Sequence, residues 1–309
     1  MRVGVVDVGT NSVRILVADG DGKTLIDLER DLTITRLGEG VDRDRQLGAK
    51  PLRRTVAAIA GYVERCRARN AEAIRVIATS AVRDAANRDD FVEAVRRATD
   101  IEPVILTGDQ EAGLGFLGAT IEVPASGPYL VVDIGGGSTE LVHGTTEADR
   151  FISLDIGSVR LTERHIHHDP PQADELDAVA ADADTQLEQA ARALGDDGAK
   201  TMLGLAGTIT TIGAVALGLG RYDRDAIHHS RVTVPQIADV RARLASMKVE
   251  ERRALPAMPP GREDVIVAGA VILERVMRRF KFEECFVSET DILDGVALDV
   301  MRAPDVRVR

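Results

Sequence analysis

Two short stretches of this 309-residue chain combine residue types and spacing suited to holding phosphate. They are Asp7-Val8-Gly9-Thr10-Asn11-Ser12 and Asp133-Ile134-Gly135-Gly136-Gly137-Ser138. Each follows an apolar run, opens on Asp-x-Gly, continues in glycine or small polar residues, and leads into another run with strand character. A tight turn between two strands made of such residues leaves backbone N–H groups unshielded by side chains. Those groups can converge on the oxygens of an anion, with the hydroxyls of Thr10, Ser12 and Ser138 as further donors. One Gly-rich hairpin is most often only a turn. Two of matched design, each opened by an aspartate, are a far more specific signal. Asp7 and Asp133 would then face a cleft, where a carboxylate suits Mg2+ bound alongside phosphate. The alternative is an Asx-type turn in which each bonds its own backbone.

Other candidates lie close to strand ends. Glu140 follows Gly137 by three residues, at the start of the return strand. Glu111 sits in Leu106-Thr107-Gly108-Asp109-Gln110-Glu111-Ala112, the first turn of an expected helix. An acid there is favourable to the helix dipole, and the residues alone favour that plain reading over a catalytic one. Arg83 ends Thr79-Ser80-Ala81-Val82-Arg83, a loop at the carboxyl end of a strand, where α/β ligand sites gather. It can fork onto phosphate oxygens or be a surface arginine. Gly204-Leu205-Ala206-Gly207-Thr208 is a third Gly turn from strand to helix, able to aim N–H groups at an anion. His165, His167 and His168, and again His228 and His229, tempt a metal reading. Their spacing scatters them over different helix faces, which favours surface histidines. The arginines near 221–231, with Arg278, Arg279 and Lys281, read as solvated helix faces or as flanks of a groove for a long anion.

These side chains need a scaffold, and the periodicity supplies one twice. Strands are expected at residues 3–6, 13–18, 32–37, 74–78 and 104–106, with helices at 51–69, at 88–98 and from Asp109 to about 119. From residue 129 the order begins again. Strands are expected at 129–132, 140–143, 150–154, 201–205 and 284–287, with helices at 159–167, 173–194, 208–217 and 292–301. A helix-rich insertion and the breaker Pro256-Ala257-Met258-Pro259-Pro260-Gly261 lie between 217 and 284. The fold class expected is therefore α/β, a duplicated β-β-β-α-β-α unit whose two halves face each other across a cleft. The domains are set at residues 1–122 and 123–309, with the last helix allowed to pack back on the first domain.

Composition narrows the function classes. Hydrophobic content of 44% with charged content of 29% is ordinary for a folded soluble protein. No run approaches a membrane span, and the start, Met1-Arg2-Val3-Gly4-Val5-Val6-Asp7, meets an acid too soon for a signal peptide. A cytoplasmic location is the default, with Cys66 and Cys285 as buried thiols. The net charge of −11 argues against nucleic-acid binding, which needs a basic face. A polyanionic substrate remains open, because a cleft can be locally positive. A homodimer also remains open, although with Trp absent and aromatic content of 3% no aromatic interface patch stands out.

Taken in order, several motifs resemble the exopolyphosphatase / guanosine pentaphosphate phosphohydrolase (Ppx/GppA phosphatase) family of the actin-like ATPase superfamily. They are Asp7-Val-Gly-Thr-Asn-Ser-Val-Arg14, Ala78-Thr-Ser-Ala-Val-Arg83, Leu106-Thr-Gly-Asp-Gln-Glu-Ala112, Asp133-Ile-Gly-Gly-Gly-Ser-Thr-Glu140, Ser153-Leu-Asp-Ile-Gly157 and Gly204-Leu-Ala-Gly-Thr208. The resemblance implies two ribonuclease H-like domains and release of orthophosphate from polyphosphate, or from guanosine pentaphosphate, by metal-assisted attack of water. It implies Glu111 and Glu140 as the catalytic acids, and Asp7 and Asp133 as ligands of Mg2+, or of Mn2+ in its place. Thr10, Asn11, Ser12, Arg83, Gly136, Gly137, Ser138 and Gly207 would bind phosphates. Longer members carry a C-terminal helical domain that has no counterpart here, which makes short chains the more plausible substrate. The run from Val287 to Ile292 resembles the family's final strand only loosely. Two further readings stand beside this one, a small-molecule kinase on the same fold and a non-catalytic sensor of polyphosphate or of the guanosine nucleotide.

Overall fold

The computed structural model describes residues 1–195 and 198–303, and they form two compact units. The first comprises residues 1–121 together with the segment from Asp291 onward, and the second residues 122–290. In the first, strands β1 (Arg2–Val8), β2 (Ser12–Gly20) and β3 (Leu25–Ile34) precede helices α1 (Val41–Asp44) and α2 (Ala49–Ala68). Then come β4 (Ala73–Ala78), α3 (Ser80–Arg83), α4 (Arg88–Thr99), β5 (Val104–Ile105) and α5 (Gly108–Ala119).

The second unit opens with β6 (Tyr129–Ile134), β7 (Thr139–Gly144) and β8 (Ala148–Leu154), followed by α6 (Ser158–His165), α7 (Ala173–Leu194), β9 (Thr201–Leu205) and α8 (Ala206–Ala216). It continues through α9 (Arg224–Ile227), β10 (Arg231–Thr233), α10 (Val234–Ser246), α11 (Val249–Arg253), α12 (Ile266–Arg279) and β11 (Glu284–Val287). The last helix, α13 (Ile292–Arg302), belongs to the first unit. Among the described residues no helix is long and apolar enough to cross a membrane.

Sheet order makes the duplication explicit. The first sheet runs β3-β2-β1-β4-β5 and the second β10-β11-β9-β6-β7-β8. In each, the first three strands of the unit are antiparallel neighbours and the next pairs parallel to the first. This is the ribonuclease H-like order, with β10 added as an antiparallel edge on β11.

Alternation along β1 sorts the first unit into two apolar layers. Val6 and Val8 pack with Ile59, Val63 and Cys66 of α2, while Val3 and Val5 pack with Ile292, Leu293, Val296 and Met301 of α13. Asp7 shares parity with Val3 and Val5 and so lies on the α13 face. Gly4 lies against the Cys66 side chain, leaving no space for a Cβ. In the second unit one core joins Leu130, Val132 and Ile134 to α7, α8, α10 and the largely buried α12.

Three expectations shift. The third strand is Leu25–Ile34 rather than 32–37. Its charges hide the alternation, but they are paired, Glu29 with Arg65 and Arg69, and Arg30 with Asp27 and Asp294. Helix α5 begins at Gly108 rather than Asp109, capped by Thr107 through a reciprocal capping box with Gln110. The C-terminal helix is an integral part of the first unit, because its apolar face completes the layer under Val3 and Val5.

Candidate active site

The second hairpin places two acids side by side. Asp133 lies directly opposite Glu140 in the β6–β7 register, so both side chains leave the same face of the sheet. Glu140 is buried, and its Oε1 accepts a 2.7 Å hydrogen bond from the Ser153 hydroxyl, itself opposite Glu140 on β8. The turn between the strands closes through Gly135 N–H donating to Ser138 O (3.0 Å).

What sets the character of this turn is how its carbonyls are tied. Ser158 N–H donates to Gly135 O, and the N–H groups of Val159 and Arg160 both donate to Gly136 O, at 2.9–3.0 Å. Arg160, buried, adds a 2.6 Å bond from Nε to Gly137 O. The start of α6 thus fixes the carbonyl side of the turn. Among the described residues, the N–H groups of Gly136, Gly137 and Ser138 donate to no backbone carbonyl. A peptide plane held by its oxygen presents its N–H the other way, which is the geometry of an anion cradle. Gly157 makes the contact possible, since a Cβ there would run into the backbone of Gly136.

The first hairpin repeats this plan. Gly9 N–H donates to Ser12 O (2.9 Å), and Asp7 lies opposite Arg14, the position equivalent to Glu140. The carbonyls of Asn11 and Thr10 are again tied by the segment after the third strand. Thr35 and Arg36 N–H reach Asn11 O (3.0 and 2.9 Å), and Gly38 N–H reaches Thr10 O (2.8 Å). Gly38 packs against Thr10 as Gly157 does against Gly136. The Thr10 hydroxyl, expected to face phosphate, hydrogen-bonds Ser80 Oγ at 2.9 Å and ties the turn to the loop after β4. Ser12 is half-buried at the mouth of the turn and Ser138 buried within its own.

Asp7 is buried and carries most of the local electrostatics. Arg14 donates to its Oδ2 from Nε (3.0 Å) and Nη2 (2.6 Å), and from Nη1 to Asp291 Oδ2. Burial pushes the Asp7 carboxyl above its ordinary value, and Arg14 opposes this without reversing it. At Asp291, burial is outweighed by Arg14 and Arg30, which hold that carboxyl below its ordinary value. Asp291 also caps α13, accepting from Leu293 N–H at 3.0 Å. The sequence reading left this residue without a role. Its signal was an aspartate directly before an apolar helical run.

Glu111 stands in the first turn of α5, its side chain mostly covered. Arg83 Nη1 donates to its Oε2 at 2.8 Å and to Leu106 O at 3.0 Å. Arg83 is therefore not a free surface arginine, since it holds the Glu111 carboxylate. The third turn is covered by an arginine. The Arg262 guanidinium lies over Gly207, in the space a side chain would take, and Ala206 adopts φ 61 at the start of α8. Arg160 and Arg262, both outside the sequence candidates, act on the very turns that reading singled out.

Most of the other candidates resolve into pairs. His165 meets Asp182, His168 meets Glu175, and the rings of His228 and His229 pack on each other. Arg221, Arg224, Arg231, Arg278 and Arg279 are bonded to Asp223, Glu289, Glu284, Glu274 and Glu188. Among the described residues no group of three or more His, Cys, Asp or Glu could hold a metal ion by itself. Asp7 nevertheless fits one, because its Oδ1 is buried and has no hydrogen-bond partner. One or two carboxylates, completed by water and phosphate oxygens, are the usual protein share of a Mg2+ site.

The profile of the Ppx/GppA phosphatase family matches residues 16–303. Over 315 aligned residues the chain is 42% identical to exopolyphosphatase 2 of Mycobacterium tuberculosis, spanning 97% of this chain and 98% of that one. It is 30% identical to exopolyphosphatase 1 of Mycobacterium leprae, over 96% of this chain and 89% of the relative. A crystal structure of an exopolyphosphatase-like protein superposes with TM-score 0.94 at 36% identity, covering 98% of this chain and all of that one. The Ppx/GppA family member of Aquifex aeolicus gives TM-score 0.83 at 29% identity, over 99% of both chains.

Proposed function

This chain belongs to the Ppx/GppA phosphatase family and is a phosphoanhydride hydrolase, and on that premise we propose that it is an exopolyphosphatase releasing orthophosphate from the ends of inorganic polyphosphate. The observation that carries the reading is the matched anchoring of two turns, whose carbonyls are tied down from behind so that N–H donors are presented in front. Phosphoryl transfer asks little covalent chemistry of a protein, so positioning and charge neutralisation do the catalysis. In this reading Gly136, Gly137 and Ser138, with Thr10, Asn11 and Ser12, supply amide and hydroxyl donors. Glu111, steered by Arg83, orients the attacking water and takes its proton. Glu140, fixed by Ser153, lies beside Asp133 as the second acid. Asp7 and Asp133 would hold Mg2+, or Mn2+, whose contribution when bound is charge neutralisation on the phosphate oxygens.

The test is orthophosphate release from polyphosphates of defined length and from guanosine pentaphosphate, in wild type and Glu111→Gln. A positioned general base contributes about 10²–10⁴-fold, so the variant should lose turnover by that order while still binding polyphosphate. Near wild-type turnover in the variant removes Glu111 from the role. Guanosine pentaphosphate ends in the same bond, and faster turnover of it than of any polyphosphate would overturn the substrate assignment.

A further inference from the structure

The buried charges around Asp7 do not balance. Asp7, Asp291 and Asp294 are each at least 95% buried, against two arginines, Arg14 and Arg30, and Arg30 is shared with the exposed Asp27. An uncompensated charge away from water is costly, and a cation is the direct remedy. The imbalance has an address. Arg14 spends Nε and Nη2 on Asp7 Oδ2 and Nη1 on Asp291 Oδ2, while Asp7 Oδ1 is buried with no hydrogen-bond partner. Asp291 is otherwise well anchored, with Oδ1 on Leu293 N–H and its own N–H on Asp294 Oδ2 (2.8 Å).

We propose that Arg14 is a displaceable counter-ion, shared between Asp7 and Asp291 as the structure stands and passing wholly to Asp291 when Asp7 takes a divalent cation. Asp291 is then a positioning residue for metal binding. It draws off the guanidinium that otherwise competes for the Asp7 carboxylate, and it does so without touching the cation itself. The inference rests on the reading of Asp7 as a metal ligand. The two hairpins differ here in a telling way. Opposite Asp133 the equivalent position is Glu140, an acid, so only the first hairpin needs a second carboxylate to receive an arginine.

The experiment is a titration of the intact protein with Mn2+ alone, free Mn2+ being read by electron paramagnetic resonance, in wild type, Asp7→Asn, Asp291→Asn and Arg14→Gln. Asparagine caps a helix about as well as aspartate, so Asp291→Asn removes the charge and keeps the cap. Coupling between two sites typically amounts to about 5- to 150-fold in affinity, and Asp291→Asn should weaken Mn2+ binding by an amount in that range. Arg14→Gln, which removes the competitor, should bind Mn2+ at least as tightly as wild type. Loss of binding in Asp7→Asn together with wild-type affinity in Asp291→Asn overturns the proposal but leaves Asp7 a ligand. Wild-type binding in Asp7→Asn overturns the ligand reading first. Should Asp291→Asn fail to fold, Arg14→Gln decides alone, and weaker binding in it counts against the proposal.

Discussion

Gly157 shows how little room the phosphate turn leaves. Its missing Cβ lets the start of α6 reach the carbonyls of Gly135 and Gly136, and the Gly136 backbone occupies the space a side chain would need. Gly157→Ala should therefore push the turn off its anchors. Overpacking of this kind costs about 1–3 kcal/mol, visible in the urea midpoint, and turnover should fall by at least about tenfold as the donors lose alignment. An unchanged turnover would mean that α6 does not set the turn. The two cysteines make the opposite case, of side chains kept out of chemistry. Burial pushes both Cys66 and Cys285 thiols up to about 12, so almost no thiolate exists at neutral pH. A disulfide reagent should label neither thiol in the native protein and both after denaturation.

At the scale of elements, caps and pairings decide the local structure. Helix α7 begins at a capping box in which Glu175 accepts from the N–H groups of Gln172 and His167 and from the His168 ring. Burial alone would raise the Glu175 carboxyl, but these donors overcome it and bring it down to about 2. A carboxyl depressed on folding adds stability above its unfolded value, near 4.5, and loses it as pH falls toward 2. Melting wild type and Glu175→Gln between pH 7 and pH 3 should show the largest gap at neutral pH and a shrinking gap below about 4.5. A gap independent of pH would assign the effect to packing. Much of this layer was legible in the chain. The paired Asp-x-Gly turns announced a duplicated sheet, because strand–turn–strand punctuation depends on neighbours in sequence. The third strand was legible only at its end, since Glu29 and Arg30 look like solvent residues until Arg65 and Asp294 arrive from 36 and 264 positions away. Arg160, Arg262 and the pairing of Asp291 with Arg14 were hidden for the same reason. Each acts on a turn or an acid that only the folded chain brings beside it. Glu111 was weighed as an ordinary first-turn acid because its partner Arg83 lies 28 residues back.

For the molecule as a whole, the first unit is closed by a helix that arrives last. Helices α5 and α13 meet backbone to backbone, with Gly118 against the Asp291 carbonyl and Gly295 against that of Leu114, so the helix bearing Glu111 is seated on α13. Leu293 is buried in the layer shared with Val3 and Val5, and trimming a buried leucine to alanine typically costs about 2–5 kcal/mol. By calorimetry Leu293→Ala should lower the melting of the first unit and leave that of the second in place, with turnover reduced through α5. A single shared shift would mean that the two units unfold as one. The same closure sets an order of assembly. Residues 122–290 form an uninterrupted unit that is complete once Thr290 has been made, whereas the unit that starts the chain still lacks α13. At about 5–20 residues per second a domain can fold while synthesis continues. The second half is thus contiguous and can fold without α13, whereas the half begun earliest keeps the apolar face under Val3 and Val5 uncovered until α13 packs there.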